Sequence, residues 1–249
     1  MNQDIVELKN LRTTNYYDED RLRNDLAANC GRPYQRCSIT VMDTIADPNI
    51  YFDKNGVCNY YYEYLQAEKD FLLPEPERSR TLEGIINKII AQGKGKKYDC
   101  LIGVSGGVDS TYVAWLTKKF GLRPLAVHLD NGWDSELAVM NIENIIKRLN
   151  IDLYTLVVNW EEFKDIQLAY LKASVVDIEV VSDHAIFSTM YRLANEHKIP
   201  YILSGTNVVT EFIMPSDWLY SKMDYANLKD IHDTHGKLKR STYPSYNFF

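Results

Sequence analysis

Residues 98–120 read YDCLIGVSGGVDSTYVAWLTKKF. The run opens as a short apolar strand, DCLIGV, and closes as a helix, STYVAWLTKKF, with Gly121 as its stop. Between them stands Ser105-Gly106-Gly107-Val108-Asp109-Ser110. A helix N-terminus presents free N–H groups and partial positive charge, which suit a phosphate. Gly106 and Gly107 let the main chain bend tightly and approach a ligand without a Cβ in the way. Ser105 and Ser110 add hydroxyl donors. Asp109 would repel a bare phosphate, so its presence implies a metal ion between the two. The loop lacks the lysine of a Walker A sequence and does not match GxGxxG.

Outward from this stretch, strands and helices alternate. PLAVHL, DLYTLVV and PYILSG read as further strands. SELAVMNIENIIKRLN, WEEFKDIQLAYLKAS and HAIFSTMYRLANEHK read as helices. The alternation predicts an α/β fold, a parallel sheet with helices on both faces. Ligands of such sheets sit beyond the carboxyl ends of the strands. SGGVDS, DNGW and SGTN each follow a strand end directly, so three polar turns should face one crevice.

The 249 residues are 45% hydrophobic and 25% charged, with a formal net charge of −6. This is a globular composition, and the acidic balance argues against a general nucleic-acid binder. No apolar signal-peptide core opens the chain, and no run approaches the length of a membrane span. Cys30, Cys37, Cys58 and Cys100 are widely spaced; a reducing cytoplasm is expected. Residues 1–29 read as a polar arm and 30–65 as a β-hairpin region with a turn at Asn55-Gly56. Residues 66–95 read as a helical connector with one buried face, carrying Leu82, Ile85, Ile86, Ile89 and Ile90. Residues 96–249 form the main domain. The ending RSTYPSYNFF looks like a cut through a longer protein.

The string SGGVDS in its strand–loop–helix setting resembles the PP-loop, SGGxDS, of the ATP pyrophosphatases, which share a Rossmann-like α/β fold. That resemblance covers about Tyr98 to Glu211. Three further segments narrow it: MDTIADPNIYFDKNGVCN (42–59), VHLDNGWDSELAVMNIENIIKRLNIDLYT (127–155) and DIEVVSDHAIFSTMYRLANEHKIPYILSGTNVVTE (177–211). They look like the N-acetyl sugar amidotransferases of bacterial surface-polysaccharide and flagellin-glycan biosynthesis. The resemblance implies ATP and Mg²⁺ as cofactors, a nucleotide-linked N-acetyl sugar as substrate and ammonia from a separate glutaminase subunit. It implies neither a nucleic-acid partner nor a membrane span.

By the same resemblance, Ser105, Gly106, Gly107, Asp109 and Ser110 hold the pyrophosphate with Mg²⁺. Val127 to Leu129 border adenine, Asp130-Asn131-Gly132 close around the nucleotide, and Gly205, Thr206 and Asn207 line the opposite wall. Asp183 and His184 are the polar pair expected near the substrate. His184 is either a proton relay or a helix-end residue beside an N-cap Asp183. Glu211 is either a metal or amine contact or a solvated loop acid. Asp177 and Glu179 are weaker candidates. Tyr60-Tyr61-Tyr62 offer either a sugar-binding face or, preferably, hairpin packing.

The family's N-terminal region carries two CxxC pairs that bind zinc. Here those places read Tyr34-Gln35-Arg36-Cys37 and Cys58-Asn59-Tyr60-Tyr61. Two thiolates make a poor structural zinc site, so a metal-free knuckle is expected unless Cys30 or another ligand helps Cys37 and Cys58. Two other readings stay open: a tRNA-thiolating enzyme using the same adenylation, and a nucleotide-binding scaffold without turnover.

Overall fold

The computed structural model describes residues 31–207, 211 and 214–246. Cys30 and the polar arm lie outside the described residues. The chain divides into two compact units, Met1–Glu68 and Lys69–Phe249.

In the first unit, single antiparallel bridges join Arg36 to Asp43 and Phe52 to Cys58. Asp53 builds the turn between Phe52 and Cys58. Its Oδ1 accepts the N–H groups of Asn55 and Val57, each at 2.8 Å. Gly56 takes φ +77°, which the Asn-Gly signal had foretold. The strand expected after this turn does not form. Helix α1 spans Asn59–Phe71 instead. NYYYEYLQAEKDF contains no β-branched residue, and Asn59 Nδ2 donates to Glu63 Oε1 at 2.9 Å, one turn on. Tyr60, Tyr61 and Tyr62 are therefore helical, not hairpin strand.

In the second unit, helix α2 spans Glu77–Gly93. Only Ile86 and Ile89 of its expected apolar face are buried, packed on Cys100 and Leu122; Leu82, Ile85 and Ile90 stay exposed. The helix meets the sheet along a narrow strip, so five apolar residues at helical spacing overstated the contact.

The sheet follows. Strand β1 is Cys100–Gly103, β2 Pro124–Asp130, β3 Asp152–Val157 and β4 Ile202–Leu203. All pairings are parallel, in the order β3-β2-β1-β4. Alternation along the strands feeds two cores. Leu101, Leu125 and Val127 pack on Met190 and Leu193 of α6, Val180–Glu196. Ile102 and Ala126 pack on Ala114 of α3, Val108–Lys119, and on Ile142 of α4, Glu136–Leu149. Helices cover both faces, as the alternating pattern required. Leu101 and Ile102 are fully buried, and truncation of either to alanine should cost about 2–5 kcal/mol.

A third core joins α5, Trp160–Ala173, to α6 and to α7, Tyr225–His235. The caps are local. Ser135, Asn159 and Asp224 accept N–H groups of the first turns of α4, α5 and α7. Helix α3 has Gly107 at its N-cap and no side-chain cap.

Candidate active site at the carboxyl ends of the strands

The chain leaves β1 towards β2 and returns to the other side of β1 as β4. The strand order therefore reverses between β1 and β4, where open α/β sheets place their ligands. Gly106 takes φ +76°, and a Cβ there would lie 2.4 Å from the Ala138 carbonyl oxygen. Glycine is thus required both for the turn and for the passage beneath α4. Asn141 Nδ2 donates to the Gly106 carbonyl at 3.1 Å. Inside the loop, the Ser105 N–H donates to Ser110 Oγ at 3.3 Å, and Ser110 Oγ donates to the Gly107 carbonyl at 3.2 Å. The two serine hydroxyls lie 3.2 Å apart. The cradle is preformed by its own side chains.

Two cavities open here. The first, of about 390 Å³, runs over the ends of β1, β2 and β4. Its wall is mainly apolar and includes Val127, Leu129, Ile186, Phe187 and Met190. The second, of about 440 Å³, lies at the N-terminus of α3 and is lined by Gly107, Asp109, Ser110, Thr206 and Glu211. Ser105, Asp183, Ser204 and Gly205 line both. An apolar chamber and a hydroxyl-rich, N–H-rich chamber therefore share a wall.

Most of the residues singled out in the sequence meet in this space. Ser105, Val127, Leu129, Asn131, Asp183 and Gly205 line the first cavity, as does Glu179. Gly107, Asp109, Ser110, Thr206 and Glu211 line the second. Asn207 contributes its N–H to Glu211 Oε2 at 3.1 Å. Asp130 and Asn131 shape the turn after β2: Asp130 Oδ1 accepts the Gly132 N–H and Asn131 Oδ1 the Trp133 N–H.

His184 is placed elsewhere. It is fully buried, stacked on Tyr225 and Tyr243. Nδ1 donates to the Lys222 carbonyl at 2.9 Å, and Nε2 accepts the Tyr246 N–H at 3.3 Å. Burial holds its pKa below the usual imidazole value, against the Lys222 hydrogen bond. Successive helical residues diverge by about 100°, so Asp183 faces the crevice while His184 faces the core. A proton relay at His184 does not fit this geometry.

Burial raises the Asp183 carboxyl above the usual range, against the pull of Lys222, whose Nζ lies 3.3 Å away. Lys222 also pairs with Asp177 at 2.6 Å. His128 was read in the sequence only as backbone within Val127 to Leu129, and Asp134 and Lys222 were missed. His128 lies within the apolar run of β2, Nδ1 3.1 Å from the Val104 carbonyl and Nε2 3.4 Å from Asp134 Oδ2. That carboxylate oxygen is buried at the cavity wall without an aligned hydrogen bond among the described residues. A lone histidine in a strand carries no sequence signal, and Lys222 is distant in the chain from every motif.

Among the described residues, no group of three or more His, Cys, Asp or Glu is arranged to hold a metal ion. Asp109, Asp183 and Glu211 nevertheless line one chamber with the helix N-terminus. This donor set fits Mg²⁺, which takes one or two carboxylates and completes its shell with phosphate oxygens and water. Zinc at Cys37 and Cys58 lacks a third ligand among the described residues. Cys37 Sγ instead accepts the N–H groups of Ile39, Thr40 and Cys58 at 3.3–3.5 Å. No helix of the described residues is long and apolar enough to cross a membrane.

No protein-family model matches the chain. Over 122 residues, 49% of its length, it is 30% identical to an uncharacterized protein of Methanocaldococcus jannaschii. The chain spans 42% of that curated relative. Among solved structures it is similar to NMN synthetase from Francisella tularensis, at TM-score 0.36 and 19% identity over 48% of this chain and 52% of that one. It is similar to the NH3-dependent NAD synthetase of Campylobacter jejuni in complex with nitrate, at TM-score 0.38 and 18% identity, covering 49% and 54% of the two chains. A subunit described as belonging to a tRNA methyltransferase of Methanocaldococcus jannaschii gives TM-score 0.32 and 17% identity, over 55% and 63%. These likenesses extend to about half of the chain, and the activity has to be read from the crevice.

Proposed function

We propose that the crevice binds ATP and transfers its AMP to the acetamido oxygen of a nucleotide-linked N-acetyl sugar, which ammonia then converts to an acetamidino sugar. The observation that carries this reading is the junction of the two cavities. The apolar chamber suits adenine, and the uncapped N-terminus of α3 suits the phosphates. The buried Asp134 oxygen supplies an acceptor for a base amine or a ribose hydroxyl. The choice of acceptor rests on the resemblance of residues 42–59, 127–155 and 177–211 to sugar amidotransferases.

In this scheme the amide oxygen attacks the α-phosphorus, the bond to the β-phosphate oxygen breaks and pyrophosphate leaves. The resulting O-adenylyl imidate is attacked at carbon by ammonia. AMP departs with the C–O electron pair, and the loss of a proton leaves the amidine. Ser105, Ser110 and the N–H groups at Gly107 and Val108 hold the phosphates and orient the α-phosphorus. Asp109 and Glu211 would hold Mg²⁺ together with the phosphates, where it would supply charge neutralisation. Asp183 lines both chambers, and its raised pKa suits it to take the proton of the incoming ammonia. A separate glutaminase subunit supplies the ammonia.

The test is pyrophosphate release from ATP and Mg²⁺ with ammonium and a panel of UDP- and CMP-linked N-acetyl sugars. Release that depends on the sugar, with a product one mass unit lighter, is expected. Absence of any calorimetric heat from adenine nucleotides with Mg²⁺ would overturn the reading.

A further inference from the structure

A cavity of about 260 Å³ lies between α5, the start of α6 and residues 217–231. Its wall carries the rings of Tyr170, Trp218 and Tyr220 and the polar groups of Asp177, Asp217 and Asn227. Tyr170 is 1% exposed, and its hydroxyl has no hydrogen-bond partner among the described residues. An unpaired buried hydroxyl costs free energy that a ligand would recover. Asp224, Tyr220 and Asp177 all act electrostatically on that buried phenol, and Tyr220 and Asp177 share the cavity wall with Tyr170. Tyr220 is half exposed, so the cavity opens to solvent on that side.

We infer that this cavity is a subsite for one neutral, polyhydroxylated ring, a monosaccharide unit. Its volume lies below the roughly 300 Å³ at which pockets for drug-sized ligands begin, so it suits a single ring and not a nucleotide. Among the described residues two carboxylates and no Lys, Arg or His line it, which disfavours phosphates and other anions. Flat aromatic faces can pack against the C–H face of a sugar, and the carboxylates, the amide and the Tyr170 hydroxyl can bond its hydroxyls.

The subsite borders the crevice. The segment entering α6 and its first turn form the partition: Asp177 and Val180 line the cavity, while Glu179, Ser182 and Asp183 line the apolar chamber. Lys222 Nζ bridges the partition, 2.6 Å from Asp177 and 3.3 Å from Asp183. A ring that engages Asp177 therefore alters the partner of Asp183. As the acceptor's place this rests on the proposed function; as a binding site it stands alone.

The test is NMR titration of the full chain with N-acetylglucosamine, with glycerol as a control and ATP binding measured in parallel. Saturable shifts at Trp218 and Tyr220 are expected. Tyr170→Phe should weaken the sugar about fivefold, the loss of one net hydrogen bond, without lowering the unfolding midpoint of the free protein. Trp218→Ala should weaken it further, and ATP affinity should stay unchanged in both variants. Sugar shifts no stronger than those of glycerol, or equal affinity in Tyr170→Phe, would overturn the subsite. Sugar binding without ATP binding would uphold the subsite while sinking the nucleotide reading.

Discussion

Gly205, just beyond β4, passes so close to α3 that a Cβ on it would lie 3.1 Å from the carbonyl carbon of Asp109. Two turns separated by 95 residues thus share one narrow passage. Gly205→Ala should push them apart by a few tenths of an ångström. The expected result is at least about tenfold weaker ATP binding by calorimetry, with a small change in melting temperature. Gly106→Ala is the contrast. It adds strain at positive φ to a clash with the Ala138 backbone, so global stability should fall by about 1–3 kcal/mol in urea titration.

Asp109 sits in the first turn of α3. Asp109→Ala should abolish pyrophosphate release while leaving the circular-dichroism spectrum unchanged. Release at the parent rate would remove the role proposed for it beside Mg²⁺.

His184 makes acid stability the measurable quantity. Burial lowers its folded pKa, so below about pH 6.5 the unfolded chain binds a proton that the native state resists. Stability should decline as pH falls from 6.5 towards the lowered folded value, and this group adds nothing above that window. His184→Gln should be less stable at neutral pH, yet flatter in urea midpoint between pH 6.5 and 5. A parent-like slope in the variant would contradict the buried, neutral assignment.

Glu162 and Asp165, on α5, tie down the C-terminal segment. Glu162 accepts the N–H and hydroxyl of Thr242, and Asp165 accepts the N–H groups of Lys237 and Leu238 at 2.8 Å. Burial alone would raise both carboxyls, but these donors hold each below its ordinary value. Their contribution is complete above the unfolded carboxylate range, about pH 4, and is lost as pH falls through the folded values. Hydrogen exchange at residues 237–243 should accelerate there, before exchange in β1 and β2. In Glu162→Gln the acceleration should already be present at pH 7.

Cys37 should be a thiolate at neutral pH. Burial raises its pKa, but the Thr40 side chain and three N–H donors bring it down to about 6. Absorbance near 240 nm should therefore titrate around pH 6, and Cys37→Ala should remove that step. Stability from this group rises between about pH 6 and the unfolded thiol value near 8.5.

The parallel sheet was legible because its signals are local. Short apolar runs such as DCLIGV and PLAVHL alternate with helices, and polar turns mark the strand ends. SGGVDS was legible for the same reason: a sharp turn, a close approach and a helix start all fall within six residues. The start of α1 was misread because aromatic runs serve strand and helix equally, and the Asn59–Glu63 bond that tips the balance is not a pattern of hydrophobicity. Helix α2 was over-read because periodicity reports an apolar face without saying how much of it finds a partner.

By itself, then, the sequence determined the alternation of strands and helices and the tight Gly106-Gly107 turn between β1 and α3, since chain-local sterics and periodicity set both. Only the tertiary structure decided that Asp183 faces the crevice while its neighbour His184 faces the core, and that Lys222 joins Asp183 to Asp177. It alone set the buried Tyr170 at the wall of a third cavity. Such facts depend on which helix faces meet across the sheet, and packing among residues distant in the chain sets that.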